Sequence, residues 1–213
     1  MGINLIGQGI LTQVGEALKQ LALLGEPEKI EVINEIKKAL HQLSPFRSEP
    51  VDCVLWVKAE RVEANDYNPN TVAPPEMRLL HTSIQEDGYT QPIVGCWEGD
   101  HYEVVDGFHR NRVGKEYEDI KKRIKGYLPL TIINADRQDR PDRIASTIRH
   151  NRARGKHTVD GMSQIVVELS RRNWSDEKIA RELGMDADEV LRLKQITGLA
   201  ELFADKEFSM AWE

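Results

Sequence analysis

The sequence contains only two cysteines among its 213 residues, Cys53 and Cys96. Two isolated cysteines supply neither a disulfide framework nor the paired ligands of a zinc site. Both lie in apolar, strand-like stretches, so we expect two buried free thiols.

Long apolar runs and a P-loop are also lacking. No run approaches the roughly 20 residues of a membrane span, and the first residues do not resemble a signal peptide. The P-loop pattern Gly-x-x-x-x-Gly-Lys-Ser/Thr does not occur, so any phosphate chemistry needs another device. With 30% charged and 40% hydrophobic residues, the composition is typical of soluble proteins. We therefore expect a cytoplasmic protein with no membrane partner.

The net charge of −6 conceals an asymmetry along the chain. Residues 1–105 carry 8 basic and 16 acidic groups, whereas residues 106–154 carry 13 basic and 7 acidic groups. Residues 155–213 return to 8 basic and 12 acidic groups. This concentration of positive charge in the middle favours an anionic ligand bound there over a chain that is coated with nucleic acid.

Three segments of different character divide the chain. Residues 1–46 carry apolar side chains at helical spacing on both sides of Gly25, which predicts a helical hairpin. Residues 50–155 mix short strand-like runs with helices, which predicts an α+β domain. Residues 156–213 are helical again and predict an all-α region. The apolar faces of the hairpin need cover from the next domain or from a second copy, which leaves a homodimer open.

The passage Val104-Val105-Asp106-Gly107-Phe108-His109-Arg110-Asn111-Arg112 predicts a strand, a glycine turn and a helix with a basic start. Glycine allows the backbone to approach a ligand, and a helix N-terminus offers unpaired N–H groups with a partial positive charge. The passage is therefore a candidate phosphate cradle. An ordinary strand–turn–helix corner with a solvated basic rim explains the same spacing equally well.

The C-terminal segment fits a helix-turn-helix. Ala180 is small enough for two helices to cross, Gly184 makes the turn, and Val190 buries the second helix. The second helix starts with Asp186-Ala187-Asp188-Glu189, where carboxylates would oppose DNA phosphates. DNA contact could therefore rely on basic side chains in neighbouring turns, or the motif could serve protein contacts. The candidate DNA-binding residues are Arg149, Arg152, Arg171, Arg172, Arg192 and Lys194. Arg149 and Arg152 belong to a run of arginines that also includes Arg143, and several members of this run could share one exposed helix face.

Three boxes in order resemble the ParB/sulfiredoxin fold over roughly residues 54–155. The first box is Ser83-Ile84-Gln85-Glu86-Asp87-Gly88-Tyr89-Thr90-Gln91-Pro92-Ile93, the second is Asp106-Gly107-Phe108-His109-Arg110, and the third is Asn151-Arg152-Ala153-Arg154. With the helix-turn-helix after them, the chain most resembles the immunoglobulin-binding regulator B-like coactivators of prophage and bacterial genes.

The resemblance implies a nucleotide site and its residues. Nucleotide phosphates would be bound by Gly107, Phe108, His109, Arg110, Arg112, Asn151 and Arg154. Asn151 also matches a position that helps to hold Mg²⁺ in CTP-binding ParB proteins. Phe108 replaces the sulfiredoxin cysteine, so sulfinic-acid reduction is not expected. Phosphate hydrolysis or transfer stays open, with Asp106, Glu63 and Asp66 as candidate catalytic residues.

These observations lead to one function hypothesis and one alternative. We expect a nucleotide-binding, DNA-associated transcriptional regulator or coactivator, in which ATP or CTP with Mg²⁺ acts as a switch; such a protein could associate with the nucleoid. The alternative is a small nucleotide-dependent phosphohydrolase or kinase of the same fold. The resemblance also implies a partner similar to phosphoadenosine-phosphosulfate reductases.

Overall fold

The structure is a computed structural model that describes residues 2–65, 74–133, 140–152 and 159–203, with only the backbone described at 140, 149–152, 160 and 198–203. Within these ranges the helices are α1 (Leu5–Lys19), α2 (Glu26–Leu43), α3 (Pro74–Asp87), α4 (Phe108–Glu116), α5 (Glu118–Arg123), α6 (Arg140–Arg152), α7 (Val159–Arg171), α8 (Asp176–Leu183) and α9 (Ala187–Phe203). The strands are β1 (Leu55–Lys58), β2 (Val62–Glu63), β3 (Ile93–Trp97), β4 (Tyr102–Asp106) and β5 (Tyr127–Ile132). The predicted α+β class is confirmed.

The five strands form one mixed sheet in the order β1-β5-β3-β4-β2. Strand β5 runs parallel to β3, and β2 runs parallel to β4, while β1–β5 and β3–β4 are antiparallel. Five fully buried side chains form the core of the sheet: Val62, Ile93, Val104, Leu128 and Leu130. Helices α3, α4 and α5 add a second cluster of Met77, Ile84, Val113 and Ile120.

The N-terminal hairpin attaches to the sheet through its second helix. Asn34 of α2 accepts a hydrogen bond from the Trp56 backbone N–H at 3.0 Å and donates one to the Trp56 carbonyl oxygen at 2.8 Å. The Asn34 side chain thus makes hydrogen bonds to the edge strand β1 of the kind that a neighbouring strand would make. Helix α1 has no buried residue, and Leu11 is still 57% exposed. The next domain covers α2 only in part, since α2 also has no buried residue, and it leaves the apolar face of α1 open.

Helix α6 shares its core with the C-terminal helices. Ile144 and Ile148 are fully buried in one cluster with residues of α7, α8 and α9, including Val166, Ile179 and Val190. Because isoleucines four residues apart lie on one helix face, α6 presents an apolar stripe to these helices. The segment that the sequence placed at the end of the central domain therefore also packs against the C-terminal helices.

The cysteine prediction is confirmed at one position only. Cys96 is a fully buried thiol in β3 that is not part of a disulfide, and burial raises its pKa. Cys53 is free but partly exposed. The chain before it forms a 3₁₀ turn at Pro50–Asp52 instead of a strand, so the prediction of a buried thiol was wrong there. Within the described residues no helix combines the length and apolar character needed to cross a membrane.

Candidate functional site

The glycine turn has the predicted strand–turn–helix geometry. Strand β4 ends at Asp106, and Gly107 adopts the left-handed conformation with φ 89° before α4 begins at Phe108. No side chain caps this helix. Because the first-turn amides of an α-helix have no acceptor within the helix, the turn offers N–H donors and the positive end of the helix dipole to an anion.

The Arg110 side chain folds back over this turn. Its Nη2 donates to the Pro92 carbonyl oxygen at 3.2 Å and to Asp106 Oδ2 at 3.3 Å, while Nη1 donates to Gln91 Oε1 at 3.2 Å. The side chain is only 16% exposed, and a Cβ on Gly107 would lie 2.9 Å from Nη2. Arg110 therefore joins the first and second boxes, and part of its charge is balanced by Asp106.

The other basic groups of the second box are also in defined surroundings. Arg112 donates from Nε and Nη2 to the two carboxylate oxygens of Glu116, at 2.8 and 2.9 Å, and these bonds raise the pKa of Arg112. His109 packs edge-on against Phe108. Burial, followed by the charges of Arg112 and Arg110, lowers the pKa of His109. His109 is therefore a neutral imidazole at neutral pH.

The predicted catalytic residues do not all come together. Asp106 lies at the turn, with a side chain 6% exposed. Glu63 lies in β2 opposite Glu103, and its Oε2 is 3.7 Å from His101 Nε2. Asp106 lies three residues beyond Glu103 in β4, and strand residues are spaced by roughly 3.3 Å. Glu63, which pairs with Glu103, is therefore displaced from Asp106 along the strand direction. Asp66 lies outside the described residues.

Helix α6 ends at Arg152, within the third box, and several candidate side chains of this segment lie outside the described residues. This applies to the side chains of Arg149, Asn151, Arg152 and Arg154. Within the described part, the Thr147 hydroxyl donates to the Val105 carbonyl oxygen at 2.7 Å. Arg143, which was predicted on an exposed arginine face, is 5% exposed; its Nη1 lies 2.5 Å from Glu98 Oε1 and its Nε 3.1 Å from Glu103 Oε1. That prediction was wrong because these carboxylates draw Arg143 onto the β3–β4 hairpin.

Two buried asparagines near the turn were missed by sequence reasoning. Asn65 donates from Nδ2 to the Val104 carbonyl oxygen at 2.7 Å. Its Oδ1 and the Oδ1 of Asn111 are buried, with no hydrogen-bond partner among the described residues. Buried polar atoms of this kind normally bind a protein group, water or a ligand. The position of Asn111, one helical turn after Gly107, was a signal that sequence reasoning could have used.

The C-terminal motif has the predicted internal geometry. Ala180 and Val190 are buried, and Gly184 adopts the left-handed conformation with φ 64°. The candidate DNA-binding side chains differ in their surroundings. Arg171, Arg172 and Arg192 are all exposed; Arg172 also pairs with Glu168 at 3.0 Å, and Lys194 forms an ion pair with Asp176. The exposed positive charge of this region is therefore smaller than the sequence suggests.

Comparison with known proteins identifies the family. The model of the ParB N-terminal domain matches residues 47–140, and that of the IbrB-like C-terminal HTH domain matches residues 157–205. Uncharacterized protein YbdM of Escherichia coli (strain K12) is 59% identical over 193 residues, which span 90% of this chain and 91% of that protein. The chain belongs to the same family as YbdM, with a ParB N-terminal domain followed by an IbrB-like C-terminal HTH domain.

More distant ParB-like proteins match smaller parts of the chain or match it less closely. The probable chromosome-partitioning protein ParB of Borreliella burgdorferi is 32% identical over 75 residues, 31% of this chain and 29% of that protein. The C-terminally truncated ParB of Caulobacter crescentus, in a crystal structure with CTP-γ-S, is 19% identical with a TM-score of 0.39. That comparison covers 70% of this chain and 83% of the other. The match to the ParB N-terminal domain, at residues 47–140, includes the glycine turn.

Proposed function

We propose that this ParB-like protein is a DNA-associated regulator in which a nucleoside triphosphate bound at the glycine turn acts as a switch. The observation that carries the proposal is the path of contacts from the turn to the helix-turn-helix. Strand β4 leads directly into Gly107, α6 is bonded to β4, and α6 shares a buried core with α7, α8 and α9.

The turn supports anion binding by its backbone more than by its arginines. The α4 N-terminus has no side-chain cap, and a helix start of this kind binds phosphate through N–H groups and the helix dipole. The buried amide oxygen of Asn111, which has no hydrogen-bond partner among the described residues, would accept from a sugar hydroxyl or bind Mg²⁺ only if the turn rearranged to expose it. Arg110 would then hold the turn in shape, with Arg112, Asn151 and Arg154 as predicted phosphate ligands.

Mg²⁺ fits the chemistry of the donors present. Asp106 and Asn111 carry the oxygen ligands that this ion prefers, and Asn151 is the position that the resemblance implies. When bound, the ion would neutralise part of the phosphate charge. Among the described residues, no group of three or more His, Cys, Asp or Glu side chains could hold a metal without the nucleotide.

The switch would act through the position of α6. A nucleotide that binds one arrangement of the turn more tightly than another shifts the population toward the first. Because the Thr147–Val105 bond fixes α6 next to the turn, a shift there would move the apolar stripe that α7, α8 and α9 cover. The helix-turn-helix and the predicted DNA-binding residues Arg149, Arg152, Arg171 and Arg192 would then change their relative placement.

The first test is a His109→Asp substitution with Ser83→Asp as its control. Since His109 is neutral at pH 7, each change adds one negative charge, and Ser83 is an exposed residue of α3. An acidic residue in the first turn of a helix favours the helix itself, so His109→Asp should fold while repelling phosphate. A charge about 5 Å away at an effective dielectric constant of about 20 is worth roughly 3 kcal/mol before screening by salt.

Calorimetry with ATP, CTP and Mg²⁺ measures nucleotide binding. Fluorescence anisotropy with duplex DNA measures DNA association. We expect His109→Asp to weaken nucleotide binding by at least roughly tenfold and to abolish any effect of nucleotide on DNA association, while Ser83→Asp behaves as wild type. Equal nucleotide affinity in the two variants would refute the site. Nucleotide binding that leaves the DNA affinity unchanged in wild type would refute the switch.

The enzymatic alternative and the partner protein remain predictions. Of the candidate catalytic residues within the described chain, Asp106 alone lies at the turn, because Glu63 faces His101. Phosphate release that persists in Asp106→Asn would contradict the predicted role of Asp106 as a base. Co-purification tests the predicted phosphoadenosine-phosphosulfate reductase-like partner.

A further inference from the structure

A second concave site lies between the N-terminal hairpin and the sheet, away from the glycine turn. Its volume is about 550 Å³, within the range of pockets that bind small molecules. The walls are mainly apolar and aromatic, with Ile30 and Ile33 from α2, Trp56 from β1, Tyr127 from β5, and Tyr89 and Ile124 from the α3–β3 and α5–β5 connections.

The rim of this cavity carries an excess of positive charge. Four cationic side chains, Lys29, Lys37, Arg123 and Lys125, line it together with one carboxylate, Glu26. Lys125 pairs with Glu26. Lys37 and Arg123 are held by neutral groups instead.

Lys37 Nζ donates to the Val54 carbonyl oxygen at 2.8 Å, and Arg123 donates to the carbonyl oxygens of Gln85 and Ile84 at 2.7 and 2.5 Å. A carbonyl oxygen orients a cation without neutralising it. These two charges are therefore fixed in place and available to an anion.

We propose that this cavity binds a small amphipathic anion, with a flat apolar body between Ile33 and Trp56 and one acidic head group at the cationic rim. An uncharged ligand would leave the fixed charges uncompensated, and a cation would be repelled by them. The aromatic and aliphatic walls suit an apolar body, which gains by leaving water.

Tyr89 connects the cavity to the glycine turn. Its ring lines the cavity, and its hydroxyl donates to the Arg110 carbonyl oxygen at 2.8 Å. Burial raises the pKa of Tyr89 to about 12, so the hydroxyl keeps its proton at neutral pH. A ligand in the cavity would therefore contact Tyr89, which supports the first turn of α4. Ligand binding in the cavity does not depend on a nucleotide at the glycine turn.

Two fluorescent probes of matched shape test the proposal on the full chain. Anilinonaphthalene sulfonate carries an acidic group, and phenylnaphthylamine has the same rings without it. The rim variant is Lys29→Glu, and the control is Lys122→Glu, an exposed α5 residue outside the cavity. We expect Lys29→Glu to weaken sulfonate binding by at least about tenfold and to change phenylnaphthylamine binding by less than about twofold, with Lys122→Glu affecting neither probe.

A second variant, Ile33→Trp, narrows the cavity where the apolar body is placed and should weaken both probes by about tenfold. Circular dichroism establishes that each variant is folded, and if Ile33→Trp is not folded, the comparison of Lys29→Glu with Lys122→Glu decides. Three results would overturn the proposal: no binding of the sulfonate to wild type, equal sulfonate affinities in Lys29→Glu and Lys122→Glu, or a folded Ile33→Trp that retains both probes. The last would place the probes on another surface, such as the exposed apolar face of α1.

Discussion

Replacing Arg143 by methionine removes the charged group that anchors α6 to the β3–β4 hairpin. The guanidinium lies 2.5 Å from Glu98 Oε1 and 3.1 Å from Glu103 Oε1, and the arginine side chain is 7% exposed. Methionine keeps the aliphatic length of the side chain but leaves both carboxylates without this partner.

The expected loss follows from the burial of the network. Removing one partner from a buried ion pair costs about 3–5 kcal/mol, since an uncompensated charge is left behind. Glu98 is one third exposed and Glu103 is 14% exposed, so water relieves part of this penalty. We therefore expect a loss near the lower limit, about 3 kcal/mol of unfolding free energy.

Urea unfolding followed by circular dichroism measures this loss, with Arg172→Met as the control. Arg172 forms an ion pair of the i, i+4 type with Glu168 but is 39% exposed, and such surface pairs contribute about 1 kcal/mol or less. With a slope of roughly 2–3 kcal/mol per molar urea, Arg143→Met should lower the midpoint by about 1 M or more. If Arg143→Met loses no more stability than Arg172→Met, the buried-anchor argument is refuted.

Two further predictions concern the glycine turn. Gly107→Ala and Gly99→Ala both place a side chain at positive φ, but only at Gly107 would the Cβ meet Arg110. In urea unfolding, Gly107→Ala should therefore lose about 1–2 kcal/mol more unfolding free energy than Gly99→Ala. Equal losses would contradict the contact. The lowered pKa of His109 means that the unfolded chain binds this proton at higher pH. The unfolding free energy should therefore decrease as pH falls below about 6.5, and His109→Gln should show a smaller decrease; identical pH profiles would refute this.

The order of the main elements could be predicted from local sequence signals. The predicted turn at Gly184 lies where α8 ends, because glycine enters the left-handed region at little cost. The predicted break at Gly25 is the extended residue that precedes α2. Two elements were missed. Strand β2 has only two residues and exists through its pairing with β4, and α5 is a six-residue charged helix with Ile120 as its buried residue.

The backbone of the candidate site was predictable, whereas the surroundings of its side chains were not. The passage around Gly107 has its own local signal, and the turn forms as expected. The pairing of Arg110 with Gln91 and that of Arg143 with Glu103 join residues 19 and 40 positions apart. A single sequence shows that these residues are charged or polar, but it does not show which of them meet.

Helix α6 falls between the two family matches, which end at residue 140 and begin again at residue 157. Thr147 of this helix donates a hydrogen bond to β4, and Ile144 and Ile148 pack in the C-terminal core. The two matched domains are therefore joined by a helix that packs against both of them. A chimera that joins this central domain to a foreign helix-turn-helix would therefore require a redesigned apolar stripe on α6, in the segment that neither domain match covers.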